Sequence, residues 1–112
     1  MIIMAVRAIE NEADFTLHII HSKGIVLVAF WAPWCEPCKM IRSEIKRAAQ
    51  SFTGRAEVFK VDVDELHSIA EKFEIMAVPT LLFFKNGHPV KRIIGYAGQE
   101  EIEKMFQSVM AM

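Results

Sequence analysis

The feature that most constrains the fold is an uninterrupted apolar run, IVLVAFW, at positions 25–31. Its β-branched and aromatic side chains favour a strand. It lacks the alternation of polar and apolar residues expected of a strand with one face in water. A strand that is apolar on both faces is typical of a parallel or mixed sheet covered by helices on both sides. The run therefore predicts an α/β fold built around this segment.

The rest of the chain alternates between helical and strand-like patterns. Apolar residues at helical spacing predict helices in residues 12–22, 35–52, 66–73 and 102–110, and strand-like segments occupy residues 2–9, 58–63, 80–84 and 89–94. Asn86-Gly87 is a strong signal for a two-residue hairpin turn. The order β-α-β-α-β-α-β-β-α predicts a single domain, residues 1–112, with a central mixed β-sheet flanked by helices on both faces.

Charge and hydropathy exclude several kinds of partner. Thirteen basic and fourteen acidic residues give a net charge of −1, which argues against nucleic acid because phosphate binding needs a positive excess. No uninterrupted apolar stretch approaches the roughly 18 residues of a membrane span. The N-terminal apolar stretch is broken by Arg7 and lacks the basic region and cleavage site of a secretion signal. We therefore expect a cytoplasmic protein.

The only two cysteines, Cys35 and Cys38, follow the apolar run at the start of a predicted helix. A structural disulfide is uncommon in a reducing compartment. A zinc site would need two further Cys or His ligands, and the four histidines are scattered without paired spacing. A helix N-terminus stabilises a thiolate, and the second thiol would face the same side one turn later. This placement favours a redox-active dithiol over zinc or over two buried cysteines without a role.

The chain resembles the thioredoxin family over nearly its whole length, and three segments carry the resemblance. FWAPWCEPCKMI is similar to the family signature, usually Trp-Cys-Gly-Pro-Cys-Lys; MAVPTLLFFKNG and IIGYAGQEEI resemble its cis-proline segment with hairpin and its final strand and helix. The resemblance implies a thioredoxin fold and reduction of protein disulfides by dithiol–disulfide exchange. It implies that Cys35 is the attacking nucleophile and Cys38 the resolving thiol.

The resemblance also implies a surface that docks a substrate peptide. Trp34, Val78, Gly95 and Tyr96 would shape this surface, and Pro79 would be a cis-proline facing the disulfide. Electrons would come from a separate reductase, either flavin- and NADPH-dependent or ferredoxin-linked. We expect no bound cofactor, because the chain has no Gly-rich dinucleotide loop.

Further residues would tune the pair. Pro37 suits the first turn of a helix, where its missing N–H costs little, and Trp31 is expected to pack behind the motif. Glu36 stands where the family usually has glycine. Its charge disfavours the Cys35 thiolate, which would make the pair a slightly better reductant, by about 10–20 mV.

Ala29 departs from the family, whose strand usually reads Val-Asp-Phe-Trp with a carboxylate beneath the second cysteine. Lys60 matches the lysine that normally lies near that carboxylate. One hypothesis is that Lys60 or a water relays the proton of Cys38 instead. The alternative is that Lys60 simply extends to solvent.

Two other functions remain open. A disulfide oxidase or isomerase would need a strongly stabilised thiolate, which Glu36 and the absence of histidine between the cysteines oppose. A binding or assembly module would keep the fold without turnover. Ala29 favours that module, whereas the intact cysteine pair, Trp34 and Pro79 argue against it.

Overall fold

A computed structural model describes residues 6–112. The elements in chain order are β1 (Val6–Ala8), α1 (Glu12–Phe15, continued by a π-helical turn over Thr16–Ile20), β2 (Ile25–Trp31), α2 (Glu36–Gln50), β3 (Ala56–Asp62), α3 (His67–Lys72), β4 (Thr80–Lys85), β5 (His88–Ile94) and α4 (Gln99–Met110). This order confirms the predicted alternation.

The strands form one mixed sheet in the order β1-β3-β2-β4-β5. β2 pairs parallel with β3 and antiparallel with β4, and β1 runs parallel to β3. The apolar run of β2 thus lies at the centre of the sheet, as its sequence predicts. Because β2 and β3 end at the same edge, the segments that follow them meet there.

Each face of the sheet has its own core. On one face Leu27 and Ala29 of β2 pack with Ile41 of α2 and Phe106 of α4. On the other face Val26, Val28 and Phe30 of β2 pack with residues of α1 and α3. Fully burying one side chain such as Leu27 stabilises the fold by about 1.5–3 kcal/mol. The predicted arrangement of helices on both faces is confirmed.

Several element boundaries differ from the sequence expectation. Residues 2–5 of the first predicted strand lie outside the described residues; of the rest, Val6–Ala8 form a strand and Ile9 does not. The first helix ends at Ile20, before residue 22, and β3 begins at Ala56, before residue 58. α2 ends at Gln50; Phe52 lies beyond it, with its ring stacked on Phe106 at 4.7 Å between centroids. Phe52 is therefore held in the core by packing on Phe106, although it lies outside the helix.

The hairpin between β4 and β5 forms where the sequence predicts it. Asn86 and Gly87 have φ angles of 52° and 80°, the positive values of a type I′ turn. The turn directs β5 back along β4, which returns the chain to the edge of the sheet where β2 ends.

Candidate functional site

Cys35 and Cys38 lie where β2 gives way to α2. The Cys35 N–H donates to the Ala32 carbonyl at 3.1 Å. Cys35 is the N-cap residue of α2, with an extended backbone, and its Sγ accepts a hydrogen bond from the Cys38 N–H at 3.2 Å. The two residues form a disulfide, with Cα atoms 5.3 Å apart. The helix start thus brings both sulphurs together, as the spacing predicts.

The disulfide lies in a small apolar cluster. Cys35 is 4% exposed and Cys38 is 2% exposed. Ala32 is buried with them, and Trp31 and Val78 pack against the cluster. Both cysteines are therefore largely shielded from solvent in the disulfide form.

Glu36 and Pro37 occupy the first turn of α2. Pro37 stands at a position where a helix needs no N–H donor. The Glu36 carboxylate accepts a hydrogen bond from the Lys39 ammonium at 3.1 Å, and both side chains are largely exposed. The acidic charge beside Cys35 is therefore partly balanced one turn along the helix.

The cis-proline segment lies directly against Cys35. The Val78–Pro79 peptide bond is cis, as the resemblance implies. The Val78 carbonyl oxygen lies 3.7 Å from the Cys35 Sγ. The Gly95 N–H donates to the Pro79 carbonyl at 2.8 Å, which joins the end of β5 to this segment. Val78 therefore lies at the disulfide and Pro79 joins it to Gly95, although all three are far from the cysteines in sequence.

Large apolar side chains next to these segments are exposed. Trp34 is 69% exposed and Tyr96 is 50% exposed. Met76, two residues before Val78, is 91% exposed, and Ile94 beside Gly95 is 65% exposed. Aromatic residues and methionine are the side chains enriched in protein–protein interfaces.

Asp64 is a site residue that the sequence analysis missed. Its Oδ2 accepts a hydrogen bond from the Trp34 Nε1–H at 3.0 Å. The loop that carries Asp64 follows β3 and is held by Asp62, whose Oδ1 accepts from the Asp64 N–H at 2.9 Å. The acidic stretch after the third strand was visible in the sequence, but nothing there indicated contact with Trp34, thirty positions earlier.

A cavity of about 170 Å³ lies behind the disulfide, between α2 and the sheet. Its wall includes Ala29, Trp31, Cys38 and Lys60. Ala29 and Lys60 are paired across β2 and β3. The Lys60 ammonium lies over the Trp31 ring, 5.3 Å from its centroid, within the range of a cation–π contact. The structure thus places Lys60 and Cys38 around one space, and whether a proton passes between them stays a hypothesis.

Residues 6–112 contain no group of three or more His, Cys, Asp or Glu side chains arranged to hold a metal ion. None of their helices is both long enough and apolar enough to cross a membrane.

Comparisons with known proteins agree with this geometry. The Thioredoxin family model matches residues 6–108. The chain belongs to the thioredoxin family. Thioredoxins of several Staphylococcus aureus strains are 42% identical over 95 residues, covering 85% of this chain and 89% of theirs. The solved structure of Malassezia sympodialis thioredoxin (Mala s 13) is 29% identical, with a TM-score of 0.82, covering 99% of this chain and 93% of that chain.

Family membership and the paired cysteines together establish the activity. The chain is a thiol–disulfide oxidoreductase of the thioredoxin type, and its substrates are protein disulfides. The thioredoxin fold predicted from the sequence is confirmed by the structural match. The roles of the individual side chains around the disulfide stay predictions.

Proposed function

We propose that the reduced protein transfers two electrons to a client disulfide through Cys35 and then Cys38. The Cys35 thiolate attacks one client sulphur, a mixed disulfide forms, and the other client sulphur leaves as a thiolate. The deprotonated Cys38 then attacks the Cys35 sulphur and releases the second client thiolate. The products are a reduced client and a disulfide between Cys35 and Cys38, and the structure contains this disulfide.

The hydrogen bond from the Cys38 N–H to the Cys35 Sγ is the observation that carries this order of attack. An N–H at a helix N-terminus stabilises negative charge on the sulphur that accepts it. Cys35 is that sulphur, and it also lies against the half-buried Val78, which follows the exposed residues Met76 and Ala77. Cys38 lines the cavity behind the disulfide, which suits a thiol that reacts only with its neighbour.

The docking surface consists of Trp34, Val78, Pro79, Gly95 and Tyr96. The contact between the Val78 carbonyl and Cys35 supports this assignment, because a client chain lying along Val78 would have its sulphur within reach of Cys35. The exposed rings of Trp34 and Tyr96 supply apolar area for an extended client segment.

The chain works as a single domain in the cytoplasm and receives its electrons from a separate thioredoxin reductase. Membership of the thioredoxin family supports both the reductase and the location. A cofactor bound to this chain is not required, since the reduced pair of cysteine thiols carries both electrons.

The proposal is tested by trapping and turnover together. Cys38→Ser should accumulate a mixed disulfide with a client, detected by mass spectrometry, whereas Cys35→Ser should trap none. Both variants should lose catalysed reduction of insulin disulfides by dithiothreitol. Trapping through Cys38 in the Cys35→Ser variant, at the level seen for Cys38→Ser, would contradict the assigned order.

The double variant Cys35→Ser, Cys38→Ser separates the reductase from a binding module. It should lose all turnover, and cells that depend on this protein should lose its function with it. A double variant that retains the cellular function would show that the docking surface works without redox chemistry.

A further inference from the structure

Apolar side chains form one part of the wall of the cavity behind the disulfide, and cationic side chains form another part. Ala29, Trp31, Ile41 and Ile45 provide apolar surface. Ala29 is the smallest side chain that β2 places on this face, where its neighbours are Leu27 and Ile25. The space therefore exists because β2 has a methyl group at this position.

Among the described residues that line the cavity, four are cationic and none is acidic. Arg42, Lys46, Lys60 and Lys39 all line it. Lys39 is paired with Glu36. Within residues 6–112, the side chains of Arg42, Lys46 and Lys60 make no ion pair and no hydrogen bond. A cleft lined by charge of one sign raises the local concentration of the opposite ion.

We propose that this cavity binds a small organic anion, a monocarboxylate with a compact apolar body such as an aromatic ring. The apolar body would pack on Ala29 and Ile41, and the carboxylate would face Lys60 and its neighbouring cations. The volume fits such a ligand, since a cavity of about 150 Å³ accommodates benzene and this one measures about 170 Å³.

Two features favour this class over other ligands. An inorganic anion such as phosphate needs polar partners on every side, and the apolar part of the wall offers none. A neutral hydrocarbon would pack on the apolar part of the wall but would have no charge to pair with the cations. A molecule that combines both properties uses the whole wall, and Cys38 would form part of its surroundings.

The test is a calorimetric titration of the full chain in its disulfide form with benzoate. We expect saturable binding with a dissociation constant of about 1 mM, a plausible affinity for a ligand of this size. Benzyl alcohol, which matches the shape without the charge, should bind at least tenfold more weakly. Benzoate should also shift the amide NMR signals of Ala29 and Lys60.

Variants locate the site. Lys60→Met should weaken benzoate binding about fivefold or more, because one close charge is removed, and Ala29→Leu should abolish it by filling the space. Lys91→Met is the matched control. Lys91 is exposed on β5 and does not line the cavity, so this variant should bind benzoate with unchanged affinity. If Ala29→Leu fails to fold, the comparison of Lys60→Met with Lys91→Met still tests whether benzoate binds in this cavity.

Three results would overturn the proposal. One is no saturable binding of benzoate at concentrations up to about 20 mM, well above the expected dissociation constant. Another is equal affinity for benzoate and benzyl alcohol. The third is unchanged affinity in Lys60→Met. None of these results bears on disulfide reduction, so the proposed catalytic roles are tested independently.

Discussion

Glu36 and Lys39 place opposite charges within one turn of Cys35, joined at 3.1 Å. An isolated acid there would repel the thiolate, and Lys39 reduces that repulsion. Exposed pairs of this kind contribute little to folding, about 0–1 kcal/mol. Their effect is therefore expected in the redox equilibrium and not in stability.

Glu36→Gln should raise the midpoint potential of the cysteine pair by about 10–20 mV, because it removes charge that opposes the thiolate. Lys39→Met should move it in the opposite direction. Both shifts are read by equilibrating the variants in thiol buffers of known potential. Glu100→Gln, which breaks a similar exposed pair with Lys104 on α4, is the control and should shift nothing. A rise in potential for Lys39→Met would contradict the argument.

Lys60 tests whether Cys38 has a proton relay. Lys60→Met should slow reduction of a client disulfide about tenfold, below the roughly 10²–10⁴-fold usual for general acid–base catalysis, because thiol exchange needs less assistance. Lys60→Arg should keep the charge over Trp31 and retain the cation–π contact. A Lys60→Met rate equal to that of the unaltered protein would show that the lysine only packs on Trp31.

At the scale of elements, the hairpin turn is the position most sensitive to a single methyl group. Gly87 has a positive φ, and a Cβ there would overlap the Ile20 carbonyl oxygen at the end of the π-helical turn. Gly87→Ala should therefore lower the free energy of unfolding by about 2 kcal/mol or more. Gly24→Ala is the control, since its Cβ would enter open space. Urea denaturation compares the two; equal losses would contradict the steric argument.

A second connection links two helices on the same face of the sheet. The Glu44 carboxylate of α2 accepts a hydrogen bond from the Gln99 N–H at 2.9 Å, at the start of α4. Gly98, the N-cap of α4, has no side chain to supply this bond. Glu44 thus caps α4 from another element.

Glu44→Ala should lower the free energy of unfolding by about 1 kcal/mol, the usual cost of losing an N-terminal cap, and Glu44→Gln should recover most of it. Arg47→Ala removes the other partner of Glu44 and should cost less, because that pair is exposed on the arginine side. Thermal or urea unfolding measures all three. A larger loss for Arg47→Ala would mean that the ion pair, not the cap, holds the helices together.

At the scale of the whole molecule, sequence patterns predicted the order of elements and the cysteine pair but not the contacts between distant segments. The runs at 25–31 and 80–84 are short and rich in β-branched and aromatic residues, which indicates buried strands. The cap from Glu44 and the bond from Trp34 to Asp64 join positions 55 and 30 residues apart, and local patterns carry no such information. The cavity beside Ala29 depends on how α2 packs on the sheet.

The reduction potential of the pair formed by Cys35 and Cys38 depends on the charges and hydrogen-bond donors around the two sulphurs. The helix N-terminus and the Cys38 N–H stabilise the reduced thiolate, which raises the potential, and Glu36 opposes them. With no histidine between the cysteines, we expect a value near the roughly −270 mV of thioredoxin. It is measured by equilibration against a thiol buffer, read by tryptophan fluorescence, with the double serine variant as the blank. A value above about −200 mV would place the pair among disulfide isomerases and oxidases and make it a poor reductant of cytosolic disulfides, despite the fold it shares with thioredoxins.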